Sequence, residues 1–151
     1  MDELRRKGLA KMNEVYAWEM PNIEGDEFFD LTVDHLFGAI WTRPGLSMRD
    51  KRIMTLTVVT ALGLQDLCEV QVNAAMQNDE LTEDELKEMA VFLTHYVGFP
   101  LGSGLNGVVG RVAAKRKKAA EKGSGSDTAE VRRANVNDAV KMHTGKTLDD
   151  K

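Results

Sequence analysis

The stretch LCEVQVNAAM, Leu67–Met76, decides the fold. Leu67, Val70, Ala74 and Ala75 recur three and four residues apart, the spacing of one apolar helix face. Gln71 falls inside that stripe, and Cys68, the only cysteine in the chain, lies about one turn before it. A glutamine on an apolar face has three readings, and the pattern leaves all three open. It is a site residue, a structural amide bonded to a neighbour, or a solvent-facing residue on a helix of different phase. If it is inside, it must have partners, because a buried unpaired amide costs about 1–3 kcal/mol.

The same periodicity extends along the chain and predicts an all-α protein of about six helices. With 3 Pro and 13 Gly among 151 residues and few alternating β-branched runs, a sheet is not supported. A first helix is expected from Asp2 to Trp18, with Leu4, Met12, Val15 and Tyr16 inward. A second is expected from Glu27 to Phe37, with Phe28, Leu31, His35 and Leu36 spaced for burial. GAIWTRPGLS is a loop, since Pro44 and Gly45 are turn residues. Ser47 is placed to cap a helix from Met48 to Leu62, with Ile53, Leu56, Val59 and Leu62 deepest and Gly63 ending it. The helix of Gln71 follows, then a break at QNDE. Thr82 and Glu85 form a capping box for a helix to Val97. VGFPLGSG stops that helix, and Ser103 is placed to cap the next, which carries Leu105, Val108, Val109 and Val112. Residues 1–122 are expected to make one helical domain. Residues 123–151 read as a Gly/Ser joint and a weakly helical, basic tail, with a short helix over 127–143.

Charge divides the chain. Residues 1–110 carry 9 Lys/Arg against 18 Asp/Glu, and the remainder carries 11 against 6, for a net charge of −4. The run KRKK, Lys115–Lys118, lacks interleaved aromatics and reads as a solvated helix end or a contact with an acidic neighbour, not a nucleic-acid site. No apolar run approaches the roughly 20 residues that span a bilayer, and the first residues lack a signal-peptide core. A cytoplasmic protein with no membrane partner is the expectation. One cysteine excludes an internal disulfide and a multi-cysteine zinc site, and three scattered histidines have no metal-ligand spacing.

Three stretches together resemble the carboxymuconolactone decarboxylase family. They are GAIWTRPGLSMRDKRIMTLTVVTALG (38–63), VQVNAAMQNDELTEDELKEMA (70–90) and HYVGFP (95–100). The Trp-x-Arg-Pro-Gly-Leu loop is the most specific piece, and the likeness covers roughly residues 28–115. The resemblance implies an all-α, alkyl hydroperoxidase D-like fold in an obligate homo-oligomer, a trimer or hexamer, with sites near subunit contacts. It also implies two chemistries. One branch decarboxylates a lactone of aromatic catabolism; the other is a peroxidase carrying Cys-x-x-Cys-x-x-x-His.

The peroxidase branch needs one thiol to attack and one to resolve. Its two cysteine positions fall near Leu64 and Leu67, and its histidine falls at Gln71, so Cys68 is alone and one residue out of register. The decarboxylase branch fits better. Loss of CO₂ from a carboxylate conjugated to a lactone carbonyl leaves a dienolate, so the substrate is its own electron sink and no cofactor is needed. The site must bind carboxylate, which suits the planar fork of Arg43 or Arg52. It must hold the developing oxyanion, which an amide such as Gln71 can do. It must also return a proton to carbon, which Gln71 cannot do in place of the histidine of the lyases. His35, His95 and Tyr96 are the candidate acids, and Trp41, Pro44 and Cys68 complete the expected pocket. The expected function is a cofactor-independent lyase on a small carboxylated lactone or related cyclic metabolite. The alternatives are a non-catalytic ligand-binding or assembly member and, more weakly, a thiol peroxidase using Cys68.

Overall fold

The computed structural model describes residues 1–122. The described residues are helical with no strand, and they divide into two compact units, residues 1–46 and 47–122. The helix expected over 127–143 and the joint before it lie outside the described residues.

The first unit holds α1 (Glu3–Tyr16), α2 (Glu27–Asp30) and a π-helical segment (Leu31–Ile40) that continues α2. Asp2 caps α1 by accepting from the Arg5 N–H at 2.8 Å, and Asp26 caps α2 through the Phe29 N–H at 3.0 Å. The expected inward set on the second helix was out of phase. Phe28, Leu31, His35 and Leu36 are exposed; Phe29, Val33 and Phe37 are buried. The buried residues lie four apart, and from Leu31 onward the segment winds as a π-helix. The Trp41 N–H bonds the Leu36 carbonyl five residues back, as that winding requires. Gly8 lets α1 approach this segment, since a Cβ there would lie 2.1 Å from the Val33 carbonyl oxygen. On α1 the buried residues are Gly8, Leu9, Met12 and Val15, while Leu4 is exposed.

Across the same unit, Arg5 donates from Nε and Nη2 to the two oxygens of Asp34 at 2.6 and 2.8 Å. Its Nη2 also reaches Asp30 at 2.5 Å. Phe37 packs edge-on to Tyr16 and stacks with Trp41, at centroid distances of 5.3 and 6.2 Å.

The second unit holds α3 (Met48–Ala61), α4 (Gln65–Gln77), α5 (Glu83–Val97) and α6 (Phe99–Glu121). Local signals hold here. Ser47 accepts from the Asp50 N–H at 3.0 Å, and Gly63 adopts a positive φ of 71° just beyond α3. Thr82 and Glu85 cap each other's backbone N–H, both at 3.1 Å. The start of α6 differs from expectation: Ser103 lies inside it, and the helix begins at Phe99 after Gly98. Pro100 stands in the first turn, where its missing N–H costs nothing. The core is apolar, with Leu56, Val72, Ala75, Leu86, Leu105 and Val108 among its most buried side chains. On α3, Leu56 and Val59 are buried as expected, but Leu62 is 67% exposed and Arg52 is inside.

No helix among the described residues is long and apolar enough to cross a membrane.

Candidate functional site

Gln71 is on the inner side of α4 and only 5% exposed, so the solvent-facing reading is excluded. Its partner is Arg52 on α3, which is wholly buried. Arg52 Nη1 donates to Gln71 Oε1, Nε donates to Glu80 Oε2 at 2.7 Å, and Nη2 reaches Glu80 Oε1 at 3.3 Å. A guanidinium only donates, so the Gln71 oxygen must face it. That leaves the Gln71 Nε2 hydrogens on the other side, and among the described residues none accepts them. The arrangement is an amide donor oriented by a buried ion pair.

Glu80 reaches Arg52 because of the turn after α4. Asp79 takes a left-handed conformation at φ 52°, and the Glu80 N–H bonds the Ala75 carbonyl at 2.9 Å. This reversal, similar in role to a glycine-ended helix, turns the chain back toward α3. Glu80 was missed at the level of sequence, where QNDE reads only as a polar break. No local sequence signal marks it, because the pairing depends on Arg52 being buried.

Cys68 is one turn before Gln71 but faces elsewhere. It is buried and lines a cavity of about 90 Å³ with Thr60, Leu64 and Leu101; neither Gln71 nor Arg52 lines it. Burial pushes the Cys68 thiol up, and contact with Thr60 opposes this only in part. A protonated thiol is a poor nucleophile.

His95 and Tyr96 lie on the exposed side of α5, opposite its buried Leu86, Ala90 and Leu93. His95 Nδ1 stands 2.8 Å from the Val91 carbonyl oxygen four residues back, so that nitrogen carries the proton. Tyr96 is 77% exposed and packs on Phe92 at a centroid distance of 5.2 Å. The remaining expected residues belong to the first unit. His35 is exposed on the π-helical segment, Trp41 is half-buried against Phe37, and Arg43 and Pro44 are exposed in the loop that follows. The structure therefore joins Gln71 to Arg52, sets Cys68 in a separate cavity, and places His95 and Tyr96 on an outer face.

The basic end of α6 is engaged with α4. Lys115 bonds Glu69 at 2.9 Å, and Arg116 bonds Gln77 at 3.0 Å and Asn73 at 3.4 Å. Lys115 and Arg116 of KRKK are thus engaged within the chain, where a solvated helix end or a contact with an acidic neighbour was expected.

Residues 26–102, about half the chain, match the carboxymuconolactone decarboxylase family. Over 98 residues the chain is 30% identical to a 4-carboxymuconolactone decarboxylase of Acinetobacter baylyi, covering 65% of this chain and 72% of that protein. No solved structure matches the chain.

Proposed function

The chain belongs to the carboxymuconolactone decarboxylase family, and on that premise we propose that it is a cofactor-independent carboxy-lyase. Its substrate is a small carboxylated lactone or related cyclic metabolite. The observation that carries this reading is the Gln71 amide, turned by Arg52 so that its N–H groups are left as donors. In the reaction the carboxylate carbon–carbon bond breaks, and its electron pair moves through the conjugated system onto the lactone carbonyl oxygen. CO₂ leaves, and a dienolate remains. Gln71 Nε2 donates to that oxygen as charge develops. A proton must then return to carbon from a group other than Gln71, whose amide cannot deliver one. Arg52 is a positioning residue in this scheme, because its guanidinium engages Glu80 and Gln71. Arg43, in the Trp-x-Arg-Pro-Gly-Leu loop that carries the family resemblance, is the cation proposed for a substrate carboxylate.

The protein works in the cytoplasm as a homo-oligomer. Support comes from α5 and the start of α6, where Val91, Phe92, Tyr96 and Phe99 present a broad exposed apolar face. The peroxidase reading has no support in the protonated, solitary Cys68.

The test is CO₂ release from 4-carboxymuconolactone by the full chain and by Arg43→Ala. Release that falls with loss of Arg43, through weaker substrate affinity, supports the assignment. Unchanged affinity and turnover in Arg43→Ala removes that residue from the site. Saturable binding without CO₂ release transfers the reading to the non-catalytic member of the family.

A further inference from the structure

Where α3 ends, α4 begins and α6 passes, the second unit encloses a partly open cavity of about 90 Å³. Its walls are mainly apolar, from Val59, Leu64, Leu101 and Leu105. Thr60, Cys68 and Gln65 are the lining residues with polar side chains. We infer that this cavity binds a small uncharged organic molecule with one hydrogen-bonding oxygen, such as a compact ketone or alcohol. The site is distinct from the Gln71 cluster and goes beyond the proposed reaction.

Thr60 carries the argument. Helical threonines commonly satisfy their hydroxyl on the carbonyl four residues back. Thr32, Thr55, Thr57 and Thr94 all do so, at 2.7–2.9 Å. Thr60 does not. It is only 4% exposed, and its hydroxyl contacts Cys68 Sγ at 4.0 Å, the long limit for a bond to sulfur. Sulfur is a weak partner, and buried hydroxyls normally find stronger ones. Thr60 thus lines the cavity with most of its hydroxyl's bonding capacity unspent.

Size and charge define the ligand. An apolar cavity of about 150 Å³ holds benzene, so this one encloses about four non-hydrogen atoms, with a larger ligand's far edge at the mouth. No charged side chain is among the lining residues, so a carboxylate would lose its water without gaining a counter-charge. Gly104 leaves space for the rim amide, since a Cβ there would lie 2.9 Å from Gln65 Nε2.

The experiment is an amide NMR titration of the full chain with cyclopentanone. Saturable shifts at Leu64, Cys68 and Leu101 are expected. Thr60→Val, nearly the same shape, should weaken binding about three- to tenfold, the worth of one hydrogen bond. Thr60→Ser, which keeps the hydroxyl, should bind within about twofold of wild type. Acetate should leave these amides unmoved. Shifts that never saturate, equal affinity in Thr60→Val, or acetate shifts at the same residues would overturn the inference. None of these readouts depends on decarboxylation.

Discussion

Arg52 fixes the direction in which the Gln71 amide faces. The guanidinium is wholly buried, is held by Glu80 through two nitrogens, and donates its remaining arm to the Gln71 oxygen. Removing Glu80 leaves that charge in the interior without its carboxylate. Glu80→Ala is therefore expected to cost about 3–5 kcal/mol of stability, the usual result of breaking one side of a buried ion pair. Urea denaturation followed by helical circular dichroism measures this. A loss below about 1 kcal/mol would be that of a surface pair and would contradict the burial of the cluster.

Two glycines should respond to alanine in opposite directions. A Cβ at Gly8 would collide with the Val33 backbone carbonyl at 2.1 Å, and backbone cannot swing aside. Gly8→Ala is expected to destabilise the first unit by about 1–3 kcal/mol. A Cβ at Gly110 on α6 meets nothing within 4 Å. Gly110→Ala should stabilise by about 0.5–1 kcal/mol through helix propensity and a less flexible unfolded chain. Thermal unfolding of the two variants beside wild type decides both.

The Arg5 ion pair gives the first unit an acid dependence. The Asp34 side chain, hydrogen-bonded by Arg5, is held below the ordinary aspartate value of 3.8. A carboxyl with a depressed folded-state pKa contributes stability that is present above its unfolded value. That contribution fades as pH falls from 3.8 through the lower folded value. Asp34→Asn should thus lower stability at pH 6, by an amount that shrinks as pH falls below 3.8. Urea midpoints down the acid range check it, and a difference that does not shrink toward acid would show that charge is not the cause.

The exposed face of α5 makes a prediction about assembly. Phe92 and Tyr96 pack against each other on the surface, and Phe99 extends the patch. Phe92→Asp should reduce the mass seen by light scattering from an oligomer toward the monomer while leaving helix content intact. An unchanged mass would show that this face makes no contact between copies.

Much of the fold is legible in the sequence because its signals are local. Ser47, Gly63 and the Thr82–Glu85 box act within a few residues, and each does what its pattern implies. The face of residues 27–40 was not legible, because burial was read with an α-helical period and the segment winds as a π-helix. VGFPLGSG reads as a break that puts the cap at Ser103, whereas Pro100 is a first-turn residue of α6. In the candidate site, Gln71 was recognisable from its place in an apolar stripe. Its orientation was not, since it depends on Arg52, 19 residues away, and on Glu80, 28 residues from Arg52. A charged residue on an apolar helix suggests the surface until the left-handed turn at Asp79 brings Glu80 to meet it.

The most direct test of the central claim is ultraviolet-monitored turnover of 4-carboxymuconolactone by wild type, Gln71→Ala and Gln71→His, side by side. If the Gln71 amide holds the oxyanion, wild type turns over. Gln71→Ala then loses about 10²–10³ in kcat, the range for removal of one oxyanion donor. Turnover in Gln71→His alone would mean a site shaped for this chemistry but diverted at one residue, and it would contradict the role given to the Gln71 amide. Equal turnover in wild type and Gln71→Ala, or none in any of the three, would contradict the account.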